Sequence, residues 1–334
     1  MKISSFKFLI LLGLAAMPAQ ATAFLFTSAG AGLTGITVGN GPGNAVLTLS
    51  ISGNVNMPSS SQVAIELAAG DKLAMTGGTE VGQVDFADTP LISANGGTCP
   101  GGCKVNSAST ANGITGGSIT GGTFGSISST AAVGQWSGLS SGWAGVGGTD
   151  VSLASGGSIC TGSFTGCTIA NVTAATTTNV NGTLQTAYVF NINNSTIGGP
   201  ITIKGDGNAL IILNYSLGAK LTASSGSKIV VTGGVNSDQV LLTVTSAGGM
   251  DMSNSGFVYT GALAINSGSA SAVMNLNSAV ISGRLFFNDS VTPTNAASLG
   301  NGFTLSPTPE PSTMFLIGGA LIGIAILSKR FRQQ

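Results

Sequence analysis

From about residue 183 onward the chain is written as short β-branched runs broken by Gly, Asn and Ser: Ile201-Thr-Ile-Lys, Leu210-Ile-Ile-Leu, Lys228-Ile-Val-Val-Thr and Val240-Leu-Leu-Thr-Val-Thr. Runs of this kind, bounded by turn residues, read as strands. Comparable starts fall at Ile201, Leu221, Leu241, Ala262 and Ala279. They recur at intervals of about 20 residues, the coil length of a parallel β-solenoid, or β-helix, in which each turn stacks on the next and buries a continuous apolar column. The alternative is an antiparallel β-sandwich, which also shows turn signals at short, regular intervals. The polar residues favour the solenoid, because Ser, Thr and Asn stack along a coil without the like-charge repulsion of Lys or Glu.

Composition supports an all-β chain and excludes several chemistries. Only 7% of the 334 residues are charged and 52 are glycine. A mean hydropathy of +0.44 argues against the weakly hydrophobic, highly charged pattern of disordered chains. There is no histidine, which removes Ser-His-Asp and Cys-His nucleophiles, two-histidine zinc sites and imidazole proton shuttles. The charge is balanced, 11 basic against 11 acidic residues, and no basic cluster lies in the body, so nucleic acid is not an expected partner.

Both ends read as targeting signals. Residues 1–23 have the form of a secretory signal peptide: Lys2 and Lys7, then the apolar run Phe8 to Ala16, then the small-residue sites Ala19-Gln20-Ala21 and Ala21-Thr22-Ala23. Cleavage is expected after Ala23. The other end, 307–334, carries Pro309, Glu310 and Pro311 and then a transmembrane helix expected over 313–328. Its apolar side chains are Met314, Phe315, Leu316, Ile317, Leu321, Ile322, Ile324, Ile326 and Leu327, and the basic cluster Lys329, Arg330 and Arg332 follows. Basic residues directly after an apolar run stay cytoplasmic, which places everything upstream outside the inner membrane.

This three-part tail resembles the PEP-CTERM sorting signal. The resemblance implies that an exosortase, an inner-membrane cysteine transpeptidase, reads Pro309, Glu310 and Pro311 and removes the helix. It also implies a Gram-negative bacterium that makes extracellular polysaccharide, a candidate ligand. Residues 201–288 are further similar to the repetitive bodies of the choice-of-anchor A type, and to the ice-binding β-solenoid family. The carrying segments are Asn208-Ala-Leu-Ile-Ile-Leu-Asn-Tyr-Ser-Leu-Gly-Ala, Ser237-Asp-Gln before Val240-Leu-Leu-Thr-Val-Thr, and Ala279-Val-Ile-Ser-Gly-Arg-Leu-Phe. In the ice-binding family a regular, often Thr-rich face binds, and no Thr-x-Thr ladder at one coil spacing is found here.

The mature body is then 24–306, with a glycine-rich middle at about 94–180 that holds Trp136 and Trp143, and its strongest solenoid signal at 183–290. Six basic residues against ten acidic ones give it a formal charge of −4. Four cysteines form two local pairs, Cys99 with Cys103 and Cys160 with Cys167. In an exported chain these read as two disulfides rather than a zinc site. Ser225 and Lys228 have the spacing of a Ser-Lys nucleophile pair on a helix, but lie in a Ser/Gly turn between strand-like runs. Asp71, Asp85 and Asp88 read as solvated loop carboxylates rather than a calcium or glycosidase set, Glu66 as a residue of a solvated strand face, and Asp206 as a turn residue. No catalytic residue, metal or cofactor is assigned. The expectation is a non-enzymatic, exosortase-processed cell-surface or matrix protein acting in adhesion, biofilm or envelope structure, membrane-anchored and then at the surface or extracellular. The alternative is a ligand-active solenoid that binds ice, or that binds or degrades polysaccharide.

Overall fold

The computed structural model describes residues 36–40, 48–52, 65–67, 72–76, 80–86, 91–94, 104–109, 130–205, 210–253, 256–267, 269, 272–289, 296–300 and 303–306. The first segment supplies β1 (Ile36–Asn40), β2 (Thr48–Ser52), β3 (Ile65–Leu67), β4 (Lys72–Thr76), β5 (Glu80–Phe86), β6 (Leu91–Ala94) and β7 (Lys104–Ser109). A helix, α1 (Thr130–Trp143), follows. Then come β8 (Thr149–Val151), β9 (Gly157–Thr161), β10 (Ala170–Val172), β11 (Thr176–Val180), β12 (Thr183–Ile192), β13 (Thr196–Ile197) and β14 (Pro200–Lys204). The remaining strands are β15 (Ile211–Tyr215), β16 (Leu221–Ala223), β17 (Lys228–Thr232), β18 (Val240–Val244), β19 (Gly249–Asp251), β20 (Val258–Ser267), β21 (Val273–Asn275), β22 (Val280–Asp289), β23 (Ala296–Gly300) and β24 (Thr304–Ser306).

Among the described residues the pairings are parallel, except for the β11–β12 hairpin. The chain meets three faces in turn. The first holds β10, β9, β14, β17, the beginnings of β20 and β22, and β24. The second holds β8, the end of β12, β15, β18, the ends of β20 and β22, and then β1, β3, β5 and β7. The third is an eight-stranded sheet in the order β13, β16, β19, β21, β23, β2, β4, β6. This is a solenoid-like arrangement, and it corrects the expected coil length for the lower coils. Ile201 pairs with Ile229, Ile211 with Val240 and Leu221 with Met250, so a full coil carries the chain from Ile201 round to Ile229 and not to Leu221. Higher up the coils shorten, with Leu241 paired to Ala262 and Met274 to Ala297. Ile201, Leu221 and Leu241 lie on three different faces, so the interval between them measures the step between strands on different faces and not one full coil.

Stacking order also departs from chain order. β22 pairs with β1, and β23 with β2, so the N-terminal strands continue the stack beyond the last C-terminal coil. One inward column runs Phe190, Leu213, Leu242, Leu263, Leu285 and Ile36, all buried, in unbroken register. Burying each large apolar side chain is worth about 1.5 to 3 kcal/mol, which is why such a column can hold segments far apart in sequence together.

The helix lies within the glycine-rich middle and packs on the outside of the second face. Trp136, Leu139 and Trp143 share one helical face and are buried against Val189, Ile212, Leu241, Ala262 and Phe286, with Trp136 stacked on Phe286 at 5.6 Å. Asn214 Nδ2 donates to the Trp143 carbonyl at 2.9 Å, and Trp143 Nε1 to Gln185 Oε1 at 3.3 Å. Fourteen helical residues rise about 21 Å, close to the roughly 19 Å of four strand spacings from β12 to β22. Gly138 lets the helix approach the hairpin, since a Cβ there would meet Asn181 Oδ1 at 1.6 Å.

Candidate functional site

Among the described residues the one α-helix lies on the second face, and neither the first nor the third face has a helix packed on it. The third carries a continuous row, one residue per strand, in the register Thr196, Thr222, Asp251, Asn275, Ser298, Ser50, Ala74 and Ser93. At a strand spacing of about 4.8 Å the row is roughly 34 Å long. Its neighbours Leu221, Met250, Met274 and Ala297 point inward and are buried, which is the alternation expected of a sheet with one wet side.

Hydrogen bonds hold the row in place. Thr196 Oγ1 and Thr222 Oγ1 are 3.0 Å apart, and Thr222 Oγ1 also donates to the Ser195 carbonyl at 3.1 Å. Lys220 Nζ donates to Asp251 Oδ2 at 2.7 Å, and Ser253 Oγ to Asp251 Oδ1 at 2.6 Å. Partial burial pushes the Asp251 carboxyl up, but the bonds from Lys220 and Ser253 and the Lys220 charge outweigh it and hold the carboxyl below its ordinary value. Further along, Asn277 N–H donates to Asn275 Oδ1 at 3.1 Å and Ser298 Oγ to Asn277 Oδ1 at 3.3 Å. From Thr196 to Ser298 the row is therefore a fixed array of hydroxyl, amide and one neutralised carboxylate group. That stretch is suited to hydrogen bonding with an extended ligand.

The first face is different in texture. Its outward positions include Thr202 beside Val230, and the row Lys228, Val258, Val280 and Thr304. Lys228 and Thr232 are exposed and Lys204 is partly so.

The residues singled out from sequence fall as follows. Cys160 and Cys167 form a disulfide, Cα–Cα 5.8 Å, beside the β9–β10 end of the stack. Ser225 lies in the turn before β17 and Lys228 is the first residue of that strand, so the pair is not on a helix. Glu66 and Asp85 are neighbours in register on β3 and β5 of the second face, and Asp85 is followed by Ser109 on β7. Among the described residues no group of three or more His, Cys, Asp or Glu gathers to hold a metal, and no helix is long and apolar enough to cross a membrane. Outside the described residues lie the signal segment 1–23, Asp71, Asp88, Cys99, Cys103, Asp206 and the tail 307–334 with Pro309, Glu310, Pro311, its apolar segment and its basic cluster. Sequence reasoning missed the third-face row, because its members come from eight separate short strands and only register brings them together.

Residues 307–330 match the PEP-CTERM protein-sorting motif, a recognition signal for exosortase. No curated protein matches the chain. Similar solved structures include the following two. One is an ice binding protein from an Antarctic Biological Consortium, 12% identical, covering 86% of this chain and 89% of that one, with a TM-score of 0.39. The other is an ice binding protein from an Antarctic bacterium, Flavobacteriaceae, 14% identical, covering 84% of this chain and 83% of that one, with a TM-score of 0.28.

Proposed function

We propose that this protein is an exported, exosortase-processed surface or matrix protein without enzymatic activity, whose β body acts in adhesion, biofilm or envelope structure. The observation that carries the reading is the sorting motif over residues 307–330. In this reading residues 1–23 are a cleaved signal peptide and 313–328 a temporary anchor in the inner membrane. Lys329, Arg330 and Arg332 stay cytoplasmic, and Pro309, Glu310 and Pro311 are what exosortase reads. A parallel β body with a polar row on its third face supports a binding or structural role. Replacing Pro309, Glu310 and Pro311 together by Ala is expected to leave a full-length, membrane-retained chain, seen as a larger species on immunoblots of the membrane fraction. Unchanged processing of that variant contradicts the reading.

A second reading is favoured by one feature, the third-face row of regularly spaced hydroxyl and amide groups. Such an array also suits a repeating ligand, ice or an extracellular polysaccharide. Thermal hysteresis, or retention on immobilised polysaccharide, by the purified protein and its loss in Thr222→Tyr would support this reading. Absence of both activities from the unsubstituted protein would contradict it.

A further inference from the structure

The described chain begins and ends in the same layer of the stack. Above β22, Val280, Ile281 and Ser282 pair with Thr304, Leu305 and Ser306, while Leu285 to Asp289 pair with Ile36 to Asn40. β24 and β1 thus lie end to end in one layer. Ser306 and Ile36 are three register positions apart, roughly 10 Å along the strand direction. The break between them sits at the corner of the first and second faces. In the two layers beneath, the chain passes this corner on Gly261 and Gly283, which pair with each other and have φ of 147° and 154°. A Cβ on Gly283 would lie 1.9 Å from the Gly261 carbonyl oxygen, so backbone packs directly on backbone here. In a three-sided stack this corner lies opposite the third face.

Two short connectors therefore leave the body at one point on its side. Residues 24–35 lead back to the expected signal peptide, and residues 307–312 lead on to the expected anchor. Six residues reach about 20 Å at most when fully extended. The layer of β1 is six strand spacings from β8 and three from β7, about 29 Å and 14 Å. The β8 end of the stack, which bears the Cys160–Cys167 disulfide, is therefore too far from the exit point to stand on the membrane. The β7 end is near enough only by using most of the connector.

Charge points the same way. The first-face strands β9, β10, β14, β17 and β24 and the beginnings of β20 and β22 contain no carboxylate, and they carry Lys204 and Lys228. Neither lysine makes an ion pair among the described residues, whereas Lys220, beside the third face, is neutralised by Asp251. On a body of formal charge −4, the strands of the first face, which adjoins the exit corner, thus carry two basic groups and no carboxylate, and an anionic lipid surface attracts such a face.

We propose that, while its tail is embedded, the body lies side-on against the bilayer, with the β24–β1 seam and the first face toward the phospholipid headgroups. The third face with its polar row is then displayed away from the membrane. This rests on the reading of 313–328 as a membrane anchor, and the test separates the two.

The full chain is reconstituted in vesicles of phosphatidylethanolamine and phosphatidylglycerol, with single cysteines placed by Thr232→Cys on the first face and Thr196→Cys on the third. Both side chains are exposed, so folding is expected to survive. The unsubstituted chain serves as the blank. Flotation establishes membrane insertion, and a water-soluble maleimide added outside reports access. The first-face thiol is expected to react about five-fold or more slowly in vesicles than in detergent, and Thr196→Cys to change by less than about two-fold. Equal labelling of both faces in floating vesicles, or protection of Thr196→Cys, overturns the side-on arrangement and leaves the anchor reading standing. A chain that does not float overturns the anchor reading and this inference with it.

Discussion

The second and third faces are built from the same kind of short strand but do opposite jobs. β15 and β18 of the second face are buried at every position, because one side lines the solenoid interior and the other lies under α1. A parallel sheet covered on both sides reads as a continuous apolar run, and Ile211-Ile-Leu and Val240-Leu-Leu are such runs. The third face alternates, with Leu221, Met250 and Met274 inside and Thr222, Asp251 and Asn275 outside. Covering one face fixes the stack, and leaving the other bare makes a surface. Hydrogen-bonding residues on the covered face are satisfied internally, as where Thr243 Oγ1 donates to Asn214 Oδ1 at 2.7 Å and Asn214 turns its amide to the Trp143 carbonyl. Those on the bare face bond along the row and still meet solvent.

This contrast sets the size of what substitutions should do. Trp136→Ala removes a fully buried ring stacked on Phe286 and is expected to lower unfolding free energy by about 3 to 5 kcal/mol, read from urea unfolding. A loss below about 1 kcal/mol would mean that the helix is not part of the cooperative body. Cys160→Ser with Cys167→Ser opens a short loop at the β9–β10 end and should cost about 2 kcal/mol, checked by the same melt under oxidising and reducing conditions.

On the bare face, Thr222→Val loses hydroxyl bonds to Thr196 and the Ser195 carbonyl. It should shift stability by no more than about 0.5 to 1 kcal/mol. A cost comparable to that of Trp136→Ala would erase the distinction between the faces. The smallest effect is expected at Asp251. Its carboxyl is held below the ordinary value, so its contribution is present above the unfolded carboxylate range of about 4 and fades as pH falls through the lower folded value. The pair is partly exposed, 39% for Lys220 and 20% for Asp251, and solvent screens it. Thermal melts of Asp251→Asn should therefore differ slightly from the parent at pH 7 and converge with it in acid.

Much of this organisation is legible in the residues. Ile201-Thr-Ile-Lys, Lys228-Ile-Val-Val-Thr and Val240-Leu-Leu-Thr-Val-Thr are strands where the β-branched pattern puts them, and their Ser, Thr and Asn partners stack in parallel as their chemistry favours. The step from strands to coils is not legible. The interval between Ile201 and Leu221 looks like a repeat, but nothing local says that the two strands lie on different faces. The helix is also hidden. Gly134, Gly138 and Gly142 each weaken it by about 1 kcal/mol relative to Ala. Only the burial of Trp136, Leu139 and Trp143 against a sheet assembled from distant segments makes it stable. The junction of β22 with β1 joins Leu285 to Ile36, from opposite ends of the body, a pairing no local pattern can announce.

The processing account is tested most directly by the intact mass of the native protein recovered from its own cell surface or medium. The account predicts a chain that begins at Phe24, after loss of residues 1–23, and that lacks the apolar segment 313–328 and its basic cluster. A recovered chain that still carries residues 313–334 would contradict it.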